Sequence, residues 1–435
     1  LENGAEPVRV LSSVLGQNYP SDELEYSWKK LMQNHPHDSI CCCSVDEVQD
    51  EMATRFNKSK QVADYLVSEG TRYIADKINT KEYEKYKNAL PFVVFNTTGR
   101  KRTSVVSVEI DVTRKSGWLK KCAYDLDEIN VPNYKLIDSD GNSIPFKIED
   151  LGVRFGYDLP KDKFRQPYMA RRVRVTFEAE NISAVGYKTY ALVEGDAEKV
   201  TDTLVSGENC MENDAIRVEI NKNGSLNVTD KASGRTYKGV AYYEETGDLG
   251  NEYMYKMPEG SKAITTQDTV AKIELAEDEP YRAMYKITNT ITVPKSGDDN
   301  FEDEKSHMVF FKERVGGRSN DTVEMKIETF VSLDKNGKGV KIKTRFDNEV
   351  KDHRVRIMVP TGINSDVHKA DSVFEVVTRN NRHNAGWNNP SACEHEQGFV
   401  SIDDGEKGIA VANIGLYEYE MLPDLDNTIA VTILR

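Results

Sequence analysis

The hydrophobic period of the chain changes at Pro91, and this change constrains the architecture more than any other feature. Before it, apolar residues recur at helical spacing. Leu24, Trp28, Leu31 and Met32 stand at i, i+4, i+7 and i+8, one face of a helix. Asp22 and Glu23 fall in its first turn, where carboxylates complement the helix dipole. A second stripe runs through Val48, Met52, Phe56, Ser59, Ala63 and Leu66, and extends to Ile74 and Ile78 until INTKEYEKYKNALP breaks it. Ser44 and Glu47 have the S-x-x-E spacing of a capping box ahead of that stripe. An apolar stripe on a helix of roughly 30 residues needs partner helices to bury it. Residues 1–90 are therefore predicted to form a helical bundle.

From Pro91 onward the period is two. VVSVEIDV (105–112), RVRVTF (172–177), IRVEI (216–220), TVEMKIETFV (322–331) and VKIKTRF (340–346) alternate apolar and polar residues, as half-buried strands do. Asn223-Gly224, Asn336-Gly337 and Asp140-Gly141 suit the positive backbone angles of a type I′ hairpin turn. The expected class is α+β and multidomain: the helical bundle, a small antiparallel β-sandwich over 91–200, and a large one over 201–435. PKSGDDNFEDEK (294–305) reads as a polar, acidic loop, and GDLGNEYMY (247–255) as a loop entering a strand.

Composition removes several functions. The chain has 435 residues, 30% charged, with a formal net charge of −14. Sequence-independent nucleic-acid binding needs clustered Lys and Arg to neutralise phosphates, so it is not expected here. There is no apolar run of about 18 residues to span a bilayer, nor a basic patch for a membrane surface. Six cysteines, three of them adjacent, make no disulfide framework. Reduced thiols and a cytoplasmic location are expected.

The densest chemistry lies in NHPHDSICCCS (34–44). Imidazole and carboxylate are zinc donors, but zinc usually takes three or four, so His35, His37 and Asp38 are too few alone. The competing reading is a loop in which Asp38 caps a turn and the histidines lie at the surface. Cys41-x-Cys43 is the wrong spacing for a C-x-x-C redox pair, and packing as small buried hydrophobes is the expected role of the cysteines. DSDGN (138–142) has the opening of a calcium loop and Glu149 at its twelfth position, but Phe146 stands at the ninth and no helices flank it, so a hairpin turn is expected.

WKKLMQNHPHDSICCCSVDEVQDEMATRF (28–56) closely resembles the middle segment of the glycoside hydrolase family 38 α-mannosidases, especially the bacterial branch that includes mannosylglycerate hydrolases. VVFN (93–96), GDLGNEY (247–253), KDHRVRIMVPTGI (351–363), GLYEYEML (415–422) and the final ILR extend the resemblance over essentially the whole chain.

The resemblance implies a zinc-dependent retaining α-mannosidase, with this chain as the half that follows the catalytic barrel. His37 matches the histidine that completes the zinc shell. Asp38 matches an aspartate that binds sugar hydroxyls, and Tyr253 a tyrosine that reaches the sugar from the β-domain. The nucleophile, the acid/base carboxylate and the remaining ligands are expected in an upstream catalytic domain of the same polypeptide, because no residue here matches their motifs. Further strands are expected beyond Arg435. Cys42 stands where the family has glycine. The implied substrate is a mannoside or a mannosylglycerate-type small saccharide, and a homodimer is a further candidate assembly. The alternative is a non-catalytic carbohydrate-binding or structural β-sandwich module. On either reading the isolated chain is expected to be inactive.

Overall fold

The computed structural model describes residues 1–41, 43–160, 162–198, 201–384, 386 and 392–435. It separates into two compact units. One holds Leu1–Asp202 with Glu279–Tyr281; the other holds Thr203–Asp278 with Arg282–Arg435. The predicted class is found: an N-terminal helical region, then antiparallel sheets stacked as sandwiches.

In the first unit α1 (Ala5–Val14), α2 (Ser21–Met32) and the one-turn α3 (His37–Ile40) precede the 30-residue α4 (Asp46–Ala75). The buried side of α4 is Met52, Ser59, Ala63, Leu66, Gly70 and Ile74, at helical spacing. Ala5, Leu24, Ala63 and Leu66 form one apolar cluster among α1, α2 and α4. Gly70 is required there: a Cβ would lie 2.6 Å from Val8 Cγ1. Ser27 Oγ donates to the Ser59 carbonyl at 2.9 Å across the buried α2–α4 seam.

Two helical details differ from expectation. Met32 and Phe56 are exposed, and Ser27 takes the buried place beside Leu24 because its hydroxyl is satisfied on α4. The capping box does not form. Val45 is the N-cap of α4, with no side-chain cap, so Ser44 lies one residue outside. Asp46 and Glu47 in the first turn complement the dipole instead.

The sandwich of this unit has one sheet ordered β1–β7–β3–β4 and another ordered β2–β6–β5. The strands are β1 (Leu90–Asn96), β2 (Arg102–Lys115), β3 (Tyr134–Asp138), β4 (Ser143–Ile144), β5 (Phe146–Asp158), β6 (Gln166–Ile182) and β7 (Gly186–Glu194). Helix α5 (Leu119–Asp127) lies between β2 and β3 in sequence. Val173, Val175, Phe177 and Ala179 alternate along β6 and are buried with Leu136, Tyr190 and Leu192. Phe177 meets Tyr190 edge-on, with ring centroids 4.8 Å apart. Asp138–Asn142 is a turn between β3 and β4, where Asp138 Oδ1 accepts from the amides of Asp140 and Asn142. Its carboxylate is thus committed to the hairpin.

The second unit holds a five-stranded, a six-stranded and two four-stranded antiparallel sheets among its described residues. Tyr242–Gly247, His353–Val359, Thr428–Leu434 and Glu418–Leu422 are neighbours in the six-stranded sheet. The hairpin at Asn223-Gly224 forms, but not as type I′. Gly224 has φ +84° while Asn223 stays negative. The Asn223 side chain instead accepts from the Ser225 amide at 3.1 Å. Neither Asn336 nor Gly337 takes a positive angle, and among these pairs only Gly141 (φ +88°) matches Gly224. The stretch read as an acidic loop contains helix α6 (Asp299–Ser306). Asp298 caps it by accepting from the Phe301 amide at 2.9 Å, and Phe301 is buried. One anchoring aromatic among acidic residues left too weak a period to read.

Candidate functional site

The Asn34 end of NHPHDSICCCS is anchored to α4. Asn34 is buried, and its Nδ2 donates to the Met52 carbonyl of α4 at 3.0 Å. Arg55 adds a bond from its guanidinium to the Gln33 carbonyl at 3.2 Å. Pro36 then stands as the N-cap just ahead of α3, which starts at His37. Ser39 turns inward, and the opposite side of the turn faces out. The His37 side chain is 92% exposed, and its Nε2 lies 3.2 Å from Asp38 Oδ1. His35 is exposed as well. Asp38 does not cap α3, which has no side-chain cap.

The cysteines correct the packing expectation. Cys41 is exposed and Cys43 half-buried. Cys41 Sγ reaches the His37 carbonyl at 2.6 Å, and Cys43 Sγ lies 3.6 Å from both the backbone and a carboxylate oxygen of Asp38. Their sulfurs are polar partners of α3, so they point toward the turn and not into the core. Cys42 lies outside the described residues. Cys122 and Cys210 are the buried, packing thiols.

Tyr253 is carried by the second unit. GDLGNEYMY leaves the strand Tyr242–Gly247, where the expectation had it entering one. The loop is tightly bonded. Asp248 Oδ1 accepts from the amides of Gly250 at 2.8 Å and Lys256 at 3.0 Å. Asn251 Oδ1 accepts from those of Tyr253 and Met254. Arg314 donates to the carbonyls of Leu249 and Gly250, and Arg435 to Asp248 and the Asn251 carbonyl. Gly250 is needed for closure, since a Cβ there would sit 1.8 Å from the Met254 carbonyl oxygen. The phenol ring of Tyr253 is held outward, 58% exposed, on a rigid loop.

Sequence reasoning missed a buried ionic cluster beneath this loop. Arg356 bridges Glu244 and Glu420, and Arg354 NH1 donates to Glu420 Oε1 at 2.8 Å. The Tyr255 ring lies over the Arg354 guanidinium at 3.4 Å. Burial pushes the Glu420 carboxyl up, but Arg356 and Arg354 more than offset it and hold it below its ordinary value. A cavity of about 550 Å³ opens beside the cluster, lined in part by Tyr255, Lys256, Lys312 and Arg354. The signal was present as Arg354 and Arg356 at alternate positions of HRVRIMV and the adjacent Glu244 and Glu245 of YYEETG, two strands whose register sets Glu244 opposite Arg356.

Among the described residues no group of three or more His, Cys, Asp or Glu side chains is arranged to hold a metal. His37 and Asp38 are of the right donor types for zinc, and the exposed imidazole fits the part of a single ligand within a larger shell.

The β-sheet regions that follow the helical segment in sequence are what the comparisons identify as C-terminal domains of a glycoside hydrolase. Residues 87–194 match the profile for glycosyl hydrolases family 38 C-terminal domain 1, and residues 211–435 that for the family 38 C-terminal domain. The chain belongs to glycoside hydrolase family 38. It is 38% identical, over its full length, to a protein of Halalkalibacterium halodurans named "Putative mannosylglycerate hydrolase", of which it covers 48%. A crystal structure of an α-mannosidase from Enterococcus faecalis V583 superposes with a TM-score of 0.96 at 39% identity, covering all of this chain and 49% of that one. A second Enterococcus faecalis family 38 structure gives 0.92 at 38% identity, covering all of this chain and 51% of that one. The chain thus spans about half the length of the relatives it matches. No helix among the described residues is long and apolar enough to cross a membrane.

Proposed function

We propose that the chain works as part of a zinc-dependent, retaining α-mannosidase acting on mannosides with small aglycones, mannosylglycerate among them. The observation that carries this reading is the exposed His37–Asp38 pair, anchored through Asn34 to the interior of α4. In this reading His37 supplies one imidazole ligand to zinc, and the remaining ligands come from a catalytic domain of the same polypeptide. A bound zinc ion would act there as a Lewis acid that orients sugar hydroxyls. Asp38 accepts hydrogen bonds from those hydroxyls, and its contact with His37 keeps the imidazole aimed. Tyr253 donates or accepts at a further hydroxyl from its bonded loop. The two carboxylates that retaining chemistry requires belong to the catalytic domain. A cytoplasmic location is part of the proposal and rests on the cysteine usage.

The test uses the polypeptide encoded by the complete reading frame. Aryl α-mannoside and mannosylglycerate turnover, together with bound zinc, are measured with and without His37→Ala. Turnover with stoichiometric zinc, both lost in the variant, supports the reading. Undiminished turnover in His37→Ala sinks it. The 435-residue chain on its own is expected to show no turnover and to bind zinc only weakly, as a lone imidazole would.

A further inference from the structure

The spacing of Cys41 and Cys43 argued against a redox pair, but the structure brings their sulfurs to 3.4 Å. A disulfide has an S–S length near 2.05 Å, so the two must approach by about 1.4 Å. Both side chains emerge from the turn that ends α3, and Cys41 is open to solvent. We propose that Cys41 and Cys43 are a thiol–disulfide modification site, oxidised by peroxides and reversed by dithiols, that alters the bonding of the turn carrying His37 and Asp38. The sulfur geometry carries this, independently of the glycosidase reading.

The step balances with hydrogen peroxide as oxidant. The exposed Cys41 sulfur attacks one peroxide oxygen; the O–O bond breaks, water leaves, and a sulfenic acid remains. The Cys43 sulfur attacks the Cys41 sulfur; the S–O bond breaks and a second water leaves. Two thiols lose two electrons and two protons in all, and the peroxide becomes two waters. The closed ring spans only three residues, so it constrains the unfolded chain little and imposes strain on the native one. Strained, exposed disulfides are readily reduced, which suits a transient modification in a reducing compartment.

Closure has a local consequence. The reduced sulfurs donate to the His37 carbonyl, at 2.6 Å, and to the Asp38 carbonyl and carboxylate, each at 3.6 Å. The disulfide has no S–H to donate, so the last carbonyls of α3 and the Asp38 carboxylate lose these partners. The turn that presents His37 must then readjust.

The experiment treats the full chain with hydrogen peroxide, alkylates the remaining thiols, and maps peptides covering residues 41–43 by mass spectrometry. The expected product has lost two hydrogens, is linked between Cys41 and Cys43, and returns to two alkylatable thiols after dithiothreitol. Cys41→Ser and Cys43→Ser should abolish it, and Cys42→Ala should retain it. Circular dichroism confirms that each variant is folded. The His37 ring resonances should shift on oxidation of the parent chain and stay in place in Cys41→Ser. Overturning results are loss of the link in Cys42→Ala, direct conversion to sulfonate without a disulfide, or a disulfide that leaves the His37 resonances unmoved.

Discussion

Asn34 and Met52 are joined by a 3.0 Å hydrogen bond from a buried side-chain amide to a helix-interior carbonyl. With the bond from Arg55 to the Gln33 carbonyl, this contact ties the segment that presents His37 and Asp38 to the long helix α4. Asn34→Ala removes the donor and opens a small void. It is expected to cost about 1–3 kcal/mol in urea unfolding, the usual range for losing a buried hydrogen bond. Hydrogen exchange at the Ile40, Cys41 and Cys43 amides should accelerate by more than exchange elsewhere in the chain. Unchanged protection there would show that the turn is fixed by other contacts.

Gly250 sets the Tyr253 loop. Gly250→Ala puts a methyl 1.8 Å from the Met254 carbonyl oxygen, which is backbone and cannot step aside. The loop must open, and a loss of roughly 1–3 kcal/mol is expected, the scale of overpacking penalties. Proteolysis at Asn251–Met254 reports the opening directly.

Glu396 confers a pH dependence. It is buried, its Oε1 accepts from Asn413 at 2.6 Å, and burial pushes its carboxyl up to about 7. A carboxyl raised above its unfolded value is more readily protonated in the native state, so stability falls as pH rises between the two values. Its contribution is complete below about pH 4.5 and is lost progressively by about pH 7, on the order of 3 kcal/mol in total. Glu396→Gln keeps an acceptor for Asn413 and should flatten this part of the stability–pH curve. The check is urea midpoints at pH 4.5, 5.5, 6.5 and 7.5 for both proteins; parallel curves would refute the assignment.

In the Glu244–Arg356–Glu420–Arg354 cluster, Glu420 is the carboxylate shared by both arginines. Glu420→Ala takes the carboxylate partner from buried Arg354, while Arg356 keeps Glu244, and is expected to cost about 3–5 kcal/mol, as removal of one partner from a buried pair does. Thermal unfolding of the variant, read alongside near-ultraviolet circular dichroism of Tyr255, measures both the loss and its location.

The class of fold was legible because hydrophobic period is a local property. The helix-to-strand change falls where β1 begins at Leu90, and IRVEI is a strand over its whole length. What escaped were features decided by neighbours distant in sequence. Ser27 is buried because Ser59 satisfies it, and Asn34 is structural because Met52 lies across from it. The acidic 294–305 stretch becomes a helix because Phe301 finds a pocket. The ionic cluster needs the register of Tyr242–Gly247 against His353–Val359, which no single segment reveals. Within the site, the histidines are exposed, as the competing loop reading had them, whereas Asp38 does not cap the turn and Cys41 is not packed. A cysteine's burial depends on which way the turn points it, and composition does not encode this.

The sheet that supports Tyr253 has a kinetic consequence. Its neighbouring strands Tyr242–Gly247, His353–Val359 and Thr428–Leu434 lie far apart in sequence, with other strands and sheets between them. Strands separated by roughly a hundred residues must pay loop-closure entropy before any ladder bond rewards them, so such sheets assemble slowly. The helices and the short hairpin at 216–230 can form from local contacts first. The Tyr253 side chain is therefore positioned at the end of folding, and a mutation that slows pairing of these three strands would delay its appearance without altering its final geometry.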